Sequence, residues 1–238
     1  MIGWRGPTLA MIPAFALLVA LGWWQIGRKA EKEALLAAIA TRASGPAIAL
    51  WPEPMWQSLV AEKIIFQKVA IEGQFHAEPT LRLYALRDTD PGRTLPEAGW
   101  YVLTPFEVHG GGLVLVNRGF VGIDQPSPPP PGSRLRLEAL VRPNETPSLF
   151  SAADNPIANA WYTRDSRAMA VKQALPPVAP FTLDQITPNP SGVPDARVKP
   201  ASLPNRHLEY ALTWFSLALT LLGVWAVFVA GRLKRRPG

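Results

Sequence analysis

Two stretches free of charge set the outer limits on this chain. No Asp, Glu, Lys or Arg occurs from Gly6 to Gly27 or from Tyr210 to Gly231, and both windows are crowded with apolar side chains. About 20 such residues cross a bilayer as a helix, so each window predicts a membrane span, the first over Thr8 to Trp24 and the second over Tyr210 to Ala230. Pro13 is tolerable in the first because neighbouring groups re-satisfy the backbone it frees. Thr213, Ser216 and Thr220 fall at helical spacing in the second, where their hydroxyls either bond back to the helix or reach across to the first span. Back-bonding is the simpler reading.

Orientation follows from the basic residues flanking the spans. Arg232, Lys234, Arg235 and Arg236 follow the second, and Arg5 with the amino terminus precedes the first. Both termini are therefore expected in the cytoplasm and the intervening domain outside it. The divisions are residues 1–27 (cytoplasmic end and first transmembrane helix), 28–206 (extracytoplasmic domain), 207–231 (second transmembrane helix) and 232–238 (basic tail). No small-residue cleavage site follows Trp23 and Trp24, so the first span reads as retained rather than as a signal peptide. The lack of an arginine-rich amphipathic presequence favours a bacterial inner membrane, with the domain in the periplasm.

From Arg28 to Arg206 there are 19 Lys and Arg against 17 Asp and Glu, a net of +2, compared with +6 for the whole chain. The basic character thus comes mostly from the membrane flanks, and no basic stripe with interleaved aromatics points to nucleic acid. Cysteine is absent, which excludes disulfides, zinc–thiolate clusters, iron–sulfur centres, c-type haem attachment and a thiolate copper site. The four methionines, Met1, Met11, Met55 and Met169, are too scattered to suggest copper delivery.

Between the spans the periodicity changes. Arg28 to Ala43 reads as a helix stopped by Ser44, Gly45 and Pro46. Period-two patterns rich in β-branched and aromatic residues predict strands from Lys63 to His76, Leu81 to Leu86, Tyr101 to Val108, Leu113 to Val121, Arg134 to Val141 and Phe181 to Ile186. Asp165 is placed to cap a short helix from Ser166 to Leu175. Pro126 to Gly132 reads as a stiff spacer loop. The expected fold is an α+β membrane protein, with N- and C-terminal transmembrane helices flanking an antiparallel β-sheet or small β-barrel that carries short helices.

Chemical signatures are few. His109 to Gly112 matches the oxyanion tripeptide of some lipases, but no G-x-S-x-G elbow accompanies it, and glycines between two strand patterns read as a hairpin turn. No zinc-protease, phosphate-loop or dinucleotide motif occurs, so an enzyme is not expected, and a membrane-anchored hydrolase would lack both nucleophile and base. Of the three histidines, His76, His109 and His207, only the last adjoins a span. On a helix His207, Tyr210 and Trp214 share one face. A hairpin of spans brings Trp23, Trp24, Gln25 and Arg28 to the same interface. Two readings stand side by side: an interfacial aromatic belt, or a haem site with His207 as axial ligand of the iron and Arg28 or Arg206 pairing with propionates.

Several stretches together resemble the Surfeit locus protein 1 family of cytochrome oxidase assembly factors. Leu21, Gly22, Trp24, Gln25 and Arg28 reproduce its L-G-x-W-Q-x-x-R signature, while Gly73 with Phe75, and Thr104 to Phe106, resemble its G-x-F and T-P-F elements. Leu115 to Gly119 resemble a strand ending in V-N-R-G, with Phe120 where tryptophan is common. Arg142 and Glu145, then Asn155, Pro156, Trp161, Tyr162 and Asp165, follow in the family's order. Asn205, His207, Leu208, Tyr210, Ala211 and Trp214 resemble its N-x-H-x-x-Y-A-x-x-W start of the second span. In the matched domain the residues also have structural readings: Asn117 and Gly119 shaping a strand end, Arg118 pairing with Asp165 or Glu145, Trp161 and Tyr162 in a core.

The resemblance implies a non-catalytic factor that helps build haem–copper terminal oxidases and contacts the catalytic subunit, with haem A synthase as a further partner. It also implies haem A as a transient cofactor with His207 as ligand; on the reading of the interface given above, Trp24, Tyr210 and Trp214 would line the pocket and Arg28 and Arg206 would be the propionate partners. The alternative is a scaffold that stabilises an oxidase intermediate without binding haem.

Overall fold

The computed structural model describes residues 5–87, 96–147, 151–196 and 205–234. In chain order the elements are α1 (Arg5–Ser44), β1 (Ile48–Ala49), a 3₁₀ turn (Glu53–Ser58), α2 (Ala61–Ile64), β2 (Lys68–Phe75), β3 (Leu81–Arg87), β4 (Glu97–Val108), β5 (Leu113–Gly122), β6 (Leu135–Pro143), β7 (Ala160–Trp161), α3 (Ser166–Lys172), β8 (Val178–Gln185) and α4 (His207–Lys234). They fall into two units, residues 1–38 with 201–238, and residues 39–200.

In the first unit α1 and α4 are each long and apolar enough to cross a membrane. The span and the helix expected after it form one continuous helix. Gly27 alone does not break it, and Arg28–Glu31 and Lys29–Glu33 pairs, both at 2.7 Å, support the turn where the apolar stretch ends. In α4 the Thr213 and Thr220 hydroxyls donate to the Glu209 and Ser216 carbonyls at 2.9 Å. They bond back to their own helix, as the simpler reading had it.

The second unit is a β-barrel-like domain. Strands β2, β6, β8, β5 and β4 hydrogen-bond in that order, and β4 pairs back onto β2 through Gly73↔Val108 and Phe75↔Phe106, closing the ring. Closure removes the edges that an open sheet would expose. Alternate residues point inward: Val69, Ile71 and Phe75 of β2, Val114 and Val116 of β5, Leu137, Ala139 and Val141 of β6, all buried in one cluster. Outside the ring β3 extends β4, and a second cluster of Leu81, Leu83, Leu103, Leu115, Trp161 and Met169 packs β3, β7 and α3 on the outer faces of β4 and β5. Burying each such side chain contributes about 1.5–3 kcal/mol before chain entropy is set against it.

The sheet is mixed rather than antiparallel, because β1–β2, β3–β7 and β5–β8 run parallel. A parallel neighbour needs a long crossover, and the stretch containing β6 and α3 supplies it for β5 and β8. The strand expected from Lys63 begins only at Lys68. Before it, α2 buries Ile64, and Phe66 turns the chain with a φ of 57°. His109 to Gly112 is the hairpin turn between β4 and β5, with positive φ at all three glycines. Asp165 caps α3, accepting from the Arg167 and Ala168 amides.

Candidate functional site

Small residues let α1 and α4 approach. A Cβ at Gly22 would lie 2.5 Å from a carbon of the Phe215 ring, so the glycine makes the notch that the ring fills. The ring also meets Trp23 edge-on at 6.1 Å, and Ala211 and Ala218 are buried. Trp225 Nε1 donates to Thr8 Oγ1 at 3.1 Å. The early part of one helix therefore faces the late part of the other, and the end of the first apolar window meets the start of α4.

At that junction His207 Nδ1 lies 2.8 Å from Gln25 Oε1. A carboxamide oxygen carries no hydrogen, so the ring nitrogen donates. The other nitrogen, Nε2, is then the lone-pair side of the neutral ring, and it bonds to no described residue. His207, Gln25, Arg206 and Tyr210 line an open cavity of about 320 Å³. Arg206 is exposed and pairs with no carboxylate among the described residues.

The other anticipated residues stand apart from this wall. Trp24 is 57% exposed, and Arg28 is held by Glu31 at 2.7 Å. Trp214 lies two turns along α4 with its indole N–H buried and without an acceptor, and Asn205 Oδ1 is likewise buried and unpartnered. His76 makes a loose 3.4 Å contact with exposed Glu107. No group of three or more His, Asp or Glu close enough to hold a metal occurs among the described residues. What the His207 cavity holds is one ring nitrogen with no bonding partner among the described residues, beside a phenol ring and a guanidinium.

Sequence reading placed Gln25 at the interface but not in the site. The available signal was the shared Trp24-Gln25-x-x-Arg28 stretch, which does not say which side chain faces the histidine. It also missed a buried charge cluster in the domain. Asp184 on β8 receives Arg164 at 2.9 Å, Arg142 at 3.1 Å and the Asn117 amide at 2.9 Å. Burial alone would raise its pKa, but Arg164, Arg142 and the hydrogen bonds hold the carboxyl below the usual range. Arg164 Nε is buried without a hydrogen bond, 3.9 Å from Glu145. Asp184, Arg164 and Asn117 are buried while Arg142 is partly exposed, and the cluster knits β5, β6 and β8 to the segment before α3.

Arg118 does not pair with Asp165 or Glu145. It is fully buried, donating to Thr104 Oγ1 at 3.1 Å and to the Pro128 and Pro129 carbonyls. Desolvation pushes its pKa down to about 10. The proline loop is therefore pinned to the barrel and is more than a spacer. Asp165 is instead held by Asn144 at 3.1 Å. Trp161 is buried, whereas Tyr162 is 39% exposed against Tyr84.

Known proteins are similar to this chain along most of its length. The SURF1 family model matches residues 12–219. A SURF1-like protein of Monosiga brevicollis is 32% identical over 96% of this chain and 89% of its own length. One from Rickettsia felis is 26% identical over 93% of this chain and 96% of its own. Human Surfeit locus protein 1 is 29% identical over 92% of this chain and 75% of its own.

Proposed function

The chain belongs to the SURF1 family, and on that footing we propose that it is a membrane-bound assembly factor for a haem–copper terminal oxidase, holding haem A at His207 on its way to the catalytic subunit. The observation that carries this reading is the free Nε2 of His207 at the cavity it shares with Tyr210 and Arg206. Both spans would lie in a bacterial inner membrane with the termini cytoplasmic and the domain periplasmic, the orientation that the flanking charges favour.

The wall suits a haem in kind. When bound, the group supplies an iron that accepts one imidazole nitrogen and propionates that carry negative charge. His207 donates the nitrogen, Tyr210 offers a ring beside it, and Arg206 is a free cation for a carboxylate. A single protein ligand in an open cavity makes a hold that can be released, which a carrier needs.

The cavity, at about 320 Å³, is at the lower end of small-molecule sites. That observation favours the second reading, a scaffold that steadies an oxidase intermediate through protein contacts alone. The deciding measurement is the visible spectrum of the detergent-purified chain co-expressed with haem A synthesis, wild type against His207→Ala. A Soret band present in the first and lost in the second is the expected result. A wild type that purifies without haem and takes up none on titration sinks the carrier reading and leaves the scaffold.

A further inference from the structure

The pairing of His207 Nδ1 with Gln25 Oε1 at 2.8 Å has a chemical direction. We infer that Gln25 is a positioning residue, which accepts the Nδ1 proton of His207, holds the ring in that tautomer and orientation, and keeps Nε2 as the lone-pair donor. The inference rests on the reading of His207 as an iron ligand and adds the group that prepares it.

The physical case has three parts. A neutral imidazole carries its proton on either nitrogen, and only the unprotonated one can bind a metal. Ligating histidines are regularly oriented by an acceptor on the far nitrogen, which also raises the basicity of the ligand. Here the acceptor comes from the other helix, 182 residues away in sequence, so the ligand is prepared only when α1 and α4 are packed. Gly22, three residues before Gln25, is the notch that receives Phe215, two turns after His207. Helix packing and ligand readiness are thereby one event.

The test uses the full chain in detergent, labelled with ¹⁵N-histidine, at about pH 8, above the usual imidazole range. His207→Ala identifies the resonances of His207 among the three histidines. The expected wild-type spectrum is that of the Nδ1–H tautomer. It is retained in Gln25→Glu, which keeps an acceptor at the same reach, and becomes a mixture in Gln25→Met, whose thioether sulfur is only a weak acceptor. Titration with haem A then shows affinity falling roughly 10–100-fold in Gln25→Met, the usual size of such an outer-sphere loss. In Gln25→Glu binding is kept, and the iron(III/II) midpoint is lower than in wild type because the anionic acceptor makes the imidazole a stronger donor.

An Nε2–H tautomer in the wild type, or the same tautomer in wild type and Gln25→Met, overturns the inference. Failure of the parent reading looks different: the wild type shows the Nδ1–H form but binds no haem A. In that case the role of Gln25 stands and the ligand role of His207 falls.

Discussion

Asp184 lies between two guanidiniums with 3% of its side chain exposed, so removing its charge leaves buried Arg164 with only the half-exposed Glu145 carboxylate, 3.9 Å away, as counter-ion. Asp184→Ala should lower stability by about 3–5 kcal/mol, the usual cost of breaking one side of a buried pair, read as a fall in the thermal midpoint of the full chain in detergent. The same carboxylate predicts acid sensitivity. Its folded pKa is depressed below an unfolded value of about 3.9, so its contribution is complete above about pH 4 and declines as the pH falls further. Asp184→Asn should flatten that part of the stability curve; an unchanged acid slope would mean that other carboxylates set it. Gly119 is a second sensitive position. Its φ is +135°, and a Cβ would sit 2.5 Å from the Asp195 backbone, so Gly119→Ala should cost about 1–3 kcal/mol. The V-N-R-G stretch thus has a structural account at each position after the valine: Asn117 on Asp184, Arg118 on the proline loop, Gly119 against Asp195.

At the scale of elements, the helix pair depends on the Gly22 notch. Gly22→Leu drives a branched side chain into the Phe215 ring and should part α1 from α4 near Gln25. Because the chain has no cysteine, a Thr8→Cys, Trp225→Cys background gives a clean assay. A short flexible bis-maleimide, which adds one cysteine thiolate to each of its two rings, should join the pair in membranes, and adding Gly22→Leu should reduce the yield several-fold. Equal yields would show that Phe215 moves aside. In the domain, Arg118→Leu removes the donors that pin Pro128 and Pro129. Trypsin cleavage after Arg134, just beyond that loop, should accelerate while the barrel still melts cooperatively. If the rate does not change, the loop is held by something other than Arg118.

For the molecule as a whole, the flanking charges predict both termini on one side of the membrane. A maleimide that cannot cross a bilayer should label Ala152→Cys in cells with a permeabilised outer membrane, and Gly238→Cys only after lysis. The reverse pattern would invert the topology and place the domain in the cytoplasm. How much of this was legible beforehand depended on the range of the signal. The two long apolar helices, six strands, the Asp165 cap and the glycine turn were readable, because charge-free length, period-two alternation and turn residues act over a few neighbours along the chain. His207, Arg206 and Tyr210 were readable as a group for the same reason, since they fall within five consecutive positions at one helix start. Trp24 and Arg28 were placed there by proximity to the span end; Arg28 shares the helix face of Gln25 but its guanidinium is held by Glu31, and neither residue lines the cavity.

What remained for the tertiary structure were relations between residues far apart in sequence. Barrel closure through β2 and β4 and the parallel pairing of β5 with β8 leave no trace in single-strand alternation, which reports burial but not the direction of a neighbour. The Asp184 cluster draws on Asn117, Arg142, Arg164 and Asp184, whose polar side chains look like ordinary surface groups until the fold gathers them around one buried carboxylate. Gln25 is the sharpest instance. Its side chain reads locally as the polar end of an apolar window, and only the packing of α4 against α1 makes it the acceptor that orients His207. Local chemistry was thus enough to define the elements and to single out the histidine, while its hydrogen-bond partner, and with it the nitrogen left free, depended on contacts that form only when the chain folds.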